Sequence, residues 1–266
     1  MMTTTSHTEQ LTTTDGATIA STTQGVGPPL VMVSPVSSSR TTDPQQTLPA
    51  ALAEHFTVTT YDRRGDGQST MPPGTTIDEY AVQQEIEDIT ALAERTGGQI
   101  DVYGFSSGAV LALLAAQAGA PIRRLVLLEP RLHEPGALAV EGARMRELMP
   151  QDRRAARDYY LTDVVGVPAE VLEQLPTTDQ HLADAPTMLH ELEFLPGCDA
   201  EHFAGLATPT LIMVSDSTVP EMLEWANSLA ETLADCTVRE LPGEWHGVPD
   251  ETQVATIRGF LDGRAS

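Results

Sequence analysis

The 266-residue sequence predicts an α/β protein: a mostly parallel central sheet with helices on both faces and an inserted helical cap. Three observations predict it. Short apolar runs of strand length alternate with helical stretches, and a parallel sheet covered on both faces produces that rhythm. The rhythm stops between Arg131 and about Ala207, where only helical stretches separated by Pro150, Pro168 and Pro176 occur. Residues 100–118 read as strand, sharp turn and helix around Gly104-Phe105-Ser106-Ser107-Gly108.

In chain order, residues 10–23 read as two short strands around Asp15-Gly16, a hairpin signal. Pro28-Pro29 introduces an apolar strand over 30–33, followed by a Ser/Pro loop over 34–39. A short helix over 48–55 precedes a strand over 56–61 and the loop Asp62-Arg63-Arg64-Gly65-Asp66-Gly67-Gln68-Ser69. Tyr80, Val82, Ile86, Ile89 and Leu92 recur near helical spacing, predicting a helix over 77–95 that ends at Gly97-Gly98. Strand 100–103 and helix 109–118 flank the Gly/Ser turn, and 124–128 is a further strand ending at Glu129-Pro130. Helices are expected over 137–149, 153–164, 169–175 and 179–194. Strand 209–214, helix 220–233, strand 237–241, the loop Gly243-Glu244-Trp245-His246-Gly247 and a helix over 253–261 complete the chain. The division is a core of residues 1–130 and 208–266 with a cap of 131–207. The cap leaves the sheet after a strand end, the edge where such sheets place their sites.

Composition narrows the partners. The 15 basic residues, all Arg, face 38 acidic ones, for a net charge of −23. Such a surface argues against nucleic acid and anionic membranes and leaves a small-molecule substrate. The oligomeric state, monomer or homodimer, stays open. Cys198 and Cys236 have no metal-ligand spacing and build no disulfide framework, which is compatible with a reducing cytoplasm. The polar N-terminus has neither the basic nor the apolar region of a signal peptide, and no apolar run reaches the length of a membrane span. No cofactor or metal is implied.

The chemistry sits in the G-x-S-x-G. At the apex of a strained strand-to-helix turn, Ser106 projects its hydroxyl into a cleft, and the small residues at 104 and 108 let the two backbones pass closely. The helix start behind it offers the Ser107 N–H to a developing oxyanion. A second N–H has to come from the loop after strand 30–33. Pro35 has none to give, so the candidates are Val36 and Ser37. Acyl transfer also needs a base and a group that orients it. His246, late and in a Gly-rich loop, is the candidate base. Two acids compete: Glu129 at the end of strand 124–128, and Asp216 just after strand 209–214. Glu129 is favoured, because a carboxylate between Leu128 and Pro130 is buried and demands a partner, while Asp216 reads equally as a solvated loop residue.

The elbow, the Asp62–Ser69 loop, the late Gly-x-x-His and the inserted helices together resemble the α/β-hydrolase superfamily over roughly residues 8–262. Ser34-Pro35 stands where that superfamily usually has His-Gly, and the acid loop at 215–220 is short. Leu128-Glu129-Pro130 is similar to a subgroup whose acid follows the strand after the elbow, among them zearalenone-type lactonases. Haloalkane dehalogenases share that acid position but use Asp as nucleophile, which Ser106 argues against. The resemblance implies a serine hydrolase cleaving an ester or lactone through an acyl-enzyme. Its alternative is a non-hydrolytic ligand-binding or cyclase-like member of the same fold. A medium-sized, mostly apolar substrate is expected under the cap, whose apolar and aromatic candidates are Met145, Met149, Tyr159, Tyr160, Leu161, Met188, Leu189, Leu192 and Phe194.

Overall fold

The computed structural model describes residues 6–76 and 79–263. Its single sheet has eight strands in the order β1-β2-β4-β3-β5-β6-β7-β8. The hairpin β1 (His7–Thr12) and β2 (Thr18–Gln24) is antiparallel and caps one edge; β3 (Pro29–Val33), β4 (Thr57–Tyr61), β5 (Ile100–Phe105), β6 (Ile122–Leu128), β7 (Thr210–Ser215) and β8 (Cys236–Leu241) are parallel.

The apolar runs bury both faces by strict alternation. Val31, Val33, Val102, Leu125, Leu127, Ile212 and Val214 pack on one side with α2 (Val82–Arg95), α3 (Ser107–Gln117) and α9 (Pro220–Thr232). Leu30, Met32, Tyr103, Phe105, Val126, Leu128, Leu211 and Met213 pack on the other with α1 (Leu48–Leu52) and α10 (Asp250–Leu261). This period of two with both faces apolar is why the strands read as continuous hydrophobic runs.

Between β6 and β7 no strand occurs among the described residues. The segment instead holds α4 (Ala139–Leu148), α5 (Arg153–Tyr159), α6 (Ala169–Leu172), α7 (Asp179–Asp184) and α8 (Met188–Phe194). Met145, Met149, Ala156, Tyr160, Val164, Ala185, Met188 and Leu189 form its own apolar cluster, and Val36 from the loop after β3 joins them.

Several element boundaries differ from expectation. Ile77 and Asp78, at the start of the expected helix 77–95, lie outside the described residues, and α2 begins only at Val82. Ala81 is extended and the Gln84 side chain accepts its N–H at 3.2 Å, so the helix starts there. Tyr80 is buried ahead of the helix and donates its hydroxyl to Glu85 at 2.8 Å, which explains why it matched the apolar spacing without being helical. The expected helix 179–194 is two helices joined by a 3₁₀ turn over Ala185–Thr187, because Pro186 supplies no N–H for the ladder. The stretch 153–164 changes at Tyr160 into a π-helical turn over Tyr160–Val164.

Candidate functional site

The parallel register brings the ends of four strands to one edge. Phe105 pairs with Leu128, Leu128 with Met213, and Ser215 with Leu241. The next residues along the chain are Ser106, Glu129, Asp216 and the loop carrying His246. Ser106 and Glu129 are held into this edge by their own amides, which donate to Leu128 O (2.9 Å) and Met213 O (3.0 Å).

Ser106 sits at φ 56° and ψ −122°, a conformation that L side chains rarely adopt. The glycines around it are sterically required. A Cβ at Gly104 would lie 2.6 Å from Ala109 Cα, and one at Gly108 would lie 2.3 Å from Val33 O. Behind Ser106, the Ser107 amide is the first of α3 and has no carbonyl of its own helix to bond.

Strain clusters here. Five non-glycine residues among those described have positive φ: Ser37, Ser106, Glu129, Leu138 and His246. Four of them are residues singled out by the sequence, and held backbone strain of this kind gathers at functional sites.

Glu129 is fully buried, and its carboxylate is completely engaged. Oε1 accepts the Ser215 N–H at 2.8 Å, and Oε2 accepts the Thr218 hydroxyl at 3.2 Å and meets His246 Nδ1. A carboxylate only accepts, so Nδ1 carries the proton and Nε2 is left as the acceptor. Nε2 is buried with no partner among the described residues. The imidazole is further set by Phe105 (4.8 Å between ring centres) and Trp245 (5.4 Å). Its loop is closed by Glu244 N–H to Gly247 O (2.9 Å) and tied to β7 by Ser215 Oγ to Glu244 O (2.6 Å). Glu129 forms no ion pair with Arg131, near it in sequence, or with Arg64. Arg64 pairs with Asp88 and Asp15, and Arg131 donates to Val164 O and Val165 O.

Asp216 does not meet His246. It is exposed, and its Oδ1 accepts the Gly243 N–H at 3.2 Å and the Ser217 hydroxyl at 3.0 Å. Its work is to shape the turn at Gly243, where a Cβ would lie 2.2 Å from Gly247 O.

The two amides expected to complete an oxyanion hole both have carboxyl partners. Val36 N–H donates to Glu191 Oε1 at 3.0 Å, and Ser37 N–H donates to Asp66 Oδ2 at 3.2 Å. The hydroxyl of Ser37, by contrast, is buried with no partner among the described residues, as is that of Ser107. Glu191, on α8, is itself part of a buried network missed by sequence reasoning. Arg63 bonds Glu85 through two nitrogens (2.6 and 2.7 Å) and Glu191 Oε1 at 3.2 Å, while the Tyr160 hydroxyl donates to Glu191 Oε2. The two glutamates hold the Arg63 guanidinium well above its usual pKa range despite complete burial. This network fastens the inserted helices to the loop after β3. The one sequence signal for it was Arg63-Arg64 directly after a buried strand; the partners lie too far along the chain to be read.

A cavity of about 590 Å³ opens over this edge. Ser37, Ser106, Ser107 and His246 line it from the sheet side, and Tyr160, Leu161, Val164, Met188 and Glu191 from the inserted helices. Of the apolar candidates there, Met145, Met149, Leu189 and Phe194 are instead buried in packing. Among the described residues no group of three or more His, Cys, Asp or Glu side chains could hold a metal ion, and no helix is long and apolar enough to cross a membrane.

Comparison with solved structures finds an alpha/beta hydrolase from Sphaerobacter thermophilus DSM 20745 at TM-score 0.84 and 32% identity, covering 95% of this chain and all of that one. A thermophilic esterase from Thermogutta terrifontis follows the same fold at TM-score 0.74 and 22% identity (97% and 98% covered). So does the enol-lactonase from Burkholderia xenovorans LB400, at TM-score 0.68 and 20% identity (96% and 100% covered). Comparison with the curated proteins found no match. The alpha/beta hydrolase family model matches residues 32–257, from β3 through the elbow and the inserted helices into the last helix, so the chain belongs to the alpha/beta hydrolase family.

Proposed function

We propose that this protein is a serine hydrolase that cleaves an ester or lactone, with residues 131–207 as the cap over its substrate cavity. The observation that carries the reading is the contact of the buried Glu129 carboxylate with His246 Nδ1, which leaves Nε2 unpartnered in the cavity that Ser106 also lines. Ser106 Oγ attacks the carbonyl carbon as His246 Nε2 takes its proton. Glu129 keeps the ring in the required tautomer and stabilises the imidazolium. The imidazolium then protonates the leaving alkoxide. His246 next takes a proton from water, the hydroxide attacks the acyl-enzyme, and the acid is released with Ser106 restored.

For the oxyanion the reading uses the Ser107 N–H and, as second donor, the Ser37 hydroxyl. The Ser37 side chain is held by a left-handed backbone, buried, unpartnered and in the same cavity, whereas the neighbouring amides already have acceptors.

A panel of alkyl esters and lactones tests the reading. The wild type should turn over members of the panel, and Ser106→Ala should lose at least about 10³-fold in kcat while keeping its melting temperature. An Ala variant as active as the wild type would remove Ser106 from the chemistry.

A further inference from the structure

The cavity wall carries two carboxyls and two guanidiniums that the reaction above does not use. The carboxyls are already answered. Glu191 accepts from Val36, Arg63 and Tyr160. Asp43 accepts the Gln45 N–H at 2.6 Å, and burial pushes its carboxyl up towards the neutral form.

The guanidiniums are answered less fully. Arg131 donates to Val165 O and to Val164 O (2.9 Å) and stacks 5.9 Å from the centre of the Trp225 ring. No carboxylate among the described residues forms an ion pair with it. Arg157 donates to the Thr177 hydroxyl (3.1 Å) and Pro176 O (3.2 Å), and among the described residues its one carboxylate ion-pair partner is Asp158 at 3.8 Å. Burial lowers the pKa of both arginines, and Glu191 near Arg131 and Asp158 near Arg157 offset this only in part, so each cation is held in the wall at a cost. Carbonyl dipoles orient a guanidinium but do not cancel its charge, and two bonds leave Arg131 with N–H groups to spare. This is conspicuous in a chain of net charge −23, in which Arg40, Arg63, Arg64, Arg95 and Arg123 all pair with carboxylates. Arg124 is held in the same way, by Leu261 O and the Phe260 ring, but it does not line the cavity, whereas Arg131 and Arg157 do.

Beside Arg131, His133 lines the same wall, and its Nε2 is buried with no partner among the described residues. Its ring lies 6.1 Å from that of Trp225. Burial, with help from the Arg131 charge, holds its pKa down to about 4, so the ring is neutral at pH 7 and can donate one N–H.

We propose that Arg131 and His133 form a subsite for a carboxylate of the substrate, so that the scissile ester or lactone belongs to a molecule bearing a free carboxylate. One fixed guanidinium and one neutral imidazole donor match the charge and planar geometry of a carboxylate. Arg157, on α5, adds positive potential to the wall. The identity of the scissile group rests on the hydrolase reading above; the binding of the carboxylate does not.

The experiment therefore has two arms. Linear dicarboxylates from succinate to suberate are titrated calorimetrically into the wild type, Arg131→Gln and Arg131→Lys. The monoethyl and diethyl esters of the same acids are compared by kcat/KM. At least one dicarboxylate should bind the wild type and bind Arg131→Gln about 10- to 100-fold more weakly, the range for a hydrogen bond to a charged group. The monoethyl-over-diethyl preference should fall by a similar factor in Arg131→Gln and be largely kept in Arg131→Lys. If no dicarboxylate binds the wild type, or if one binds Arg131→Gln equally tightly, the subsite is overturned. Binding that depends on Arg131 with no turnover of any ester upholds the subsite and overturns the hydrolase reading instead.

Discussion

Glu129→Gln should lower kcat on a cleaved ester by on the order of 10³–10⁴-fold, as removing an orienting acid does in other triads. The amide keeps the size of the side chain and still presents one oxygen to the Ser215 N–H, which the carboxylate accepts at 2.8 Å. It cannot hold His246 in the tautomer with the proton on Nδ1, because an amide NH₂ facing that nitrogen demands an acceptor there. Nor can it stabilise the imidazolium from inside a fully buried site. Asp216→Asn is the matched control. Asn keeps an oxygen for the Gly243 N–H, and the side chain is exposed, so kcat should change by no more than about twofold, as for other surface substitutions. Steady-state kinetics of the two variants on one ester give the comparison. Losses in the reverse order would move the acid to Asp216 and leave Glu129 a structural residue.

The second large effect is expected at Ser37. Ser37→Ala and Ser37→Gly should each lose about 10²- to 10³-fold in kcat with little change in KM, the usual effect of removing one oxyanion donor. The pair separates hydroxyl from backbone. Ser37 has φ 55°, which Gly adopts without strain and Ala does not. If the hydroxyl is the contribution, both variants fall together. If the left-handed backbone alone matters, only Ala falls. The loop should survive either change, since Val36 N–H and residue 37's own N–H remain bound to Glu191 and Asp66. Two variants of near wild-type kcat would return the oxyanion to backbone donors.

What could be read from the sequence follows physical range. The central strands β3, β6 and β7 were legible because both faces of the sheet are buried there, so each carries an apolar run. The elbow was legible because Gly104 is forced by α3 within one local strand-turn-helix unit, while the contact that forces Gly108 comes from the distant β3. The choice between Glu129 and Asp216 stayed open because both follow adjacent strand ends. The contacts favour Glu129: the Gly243 amide draws Asp216 away, and the Ser215 amide fixes Glu129. The carboxyls on the Val36 and Ser37 amides could not be foreseen, since Glu191 arrives from α8 and Asp66 from the loop after β4. The break at Pro186 was written in the sequence, yet apolar spacing on both sides concealed it.

The central claim is that Ser106 is an activated nucleophile. A fluorophosphonate ester reacts with a serine only when a base and oxyanion donors assist it, so phosphonylation reports the assembled site independently of the substrate. The protein should be labelled at a single serine. Mass spectrometry of the proteolysed adduct should place the added mass on Ser106, with labelling lost in Ser106→Ala and slowed in Glu129→Gln. A wild-type protein that remains unlabelled under conditions that label a control serine esterase, or an adduct on another serine, would contradict the account.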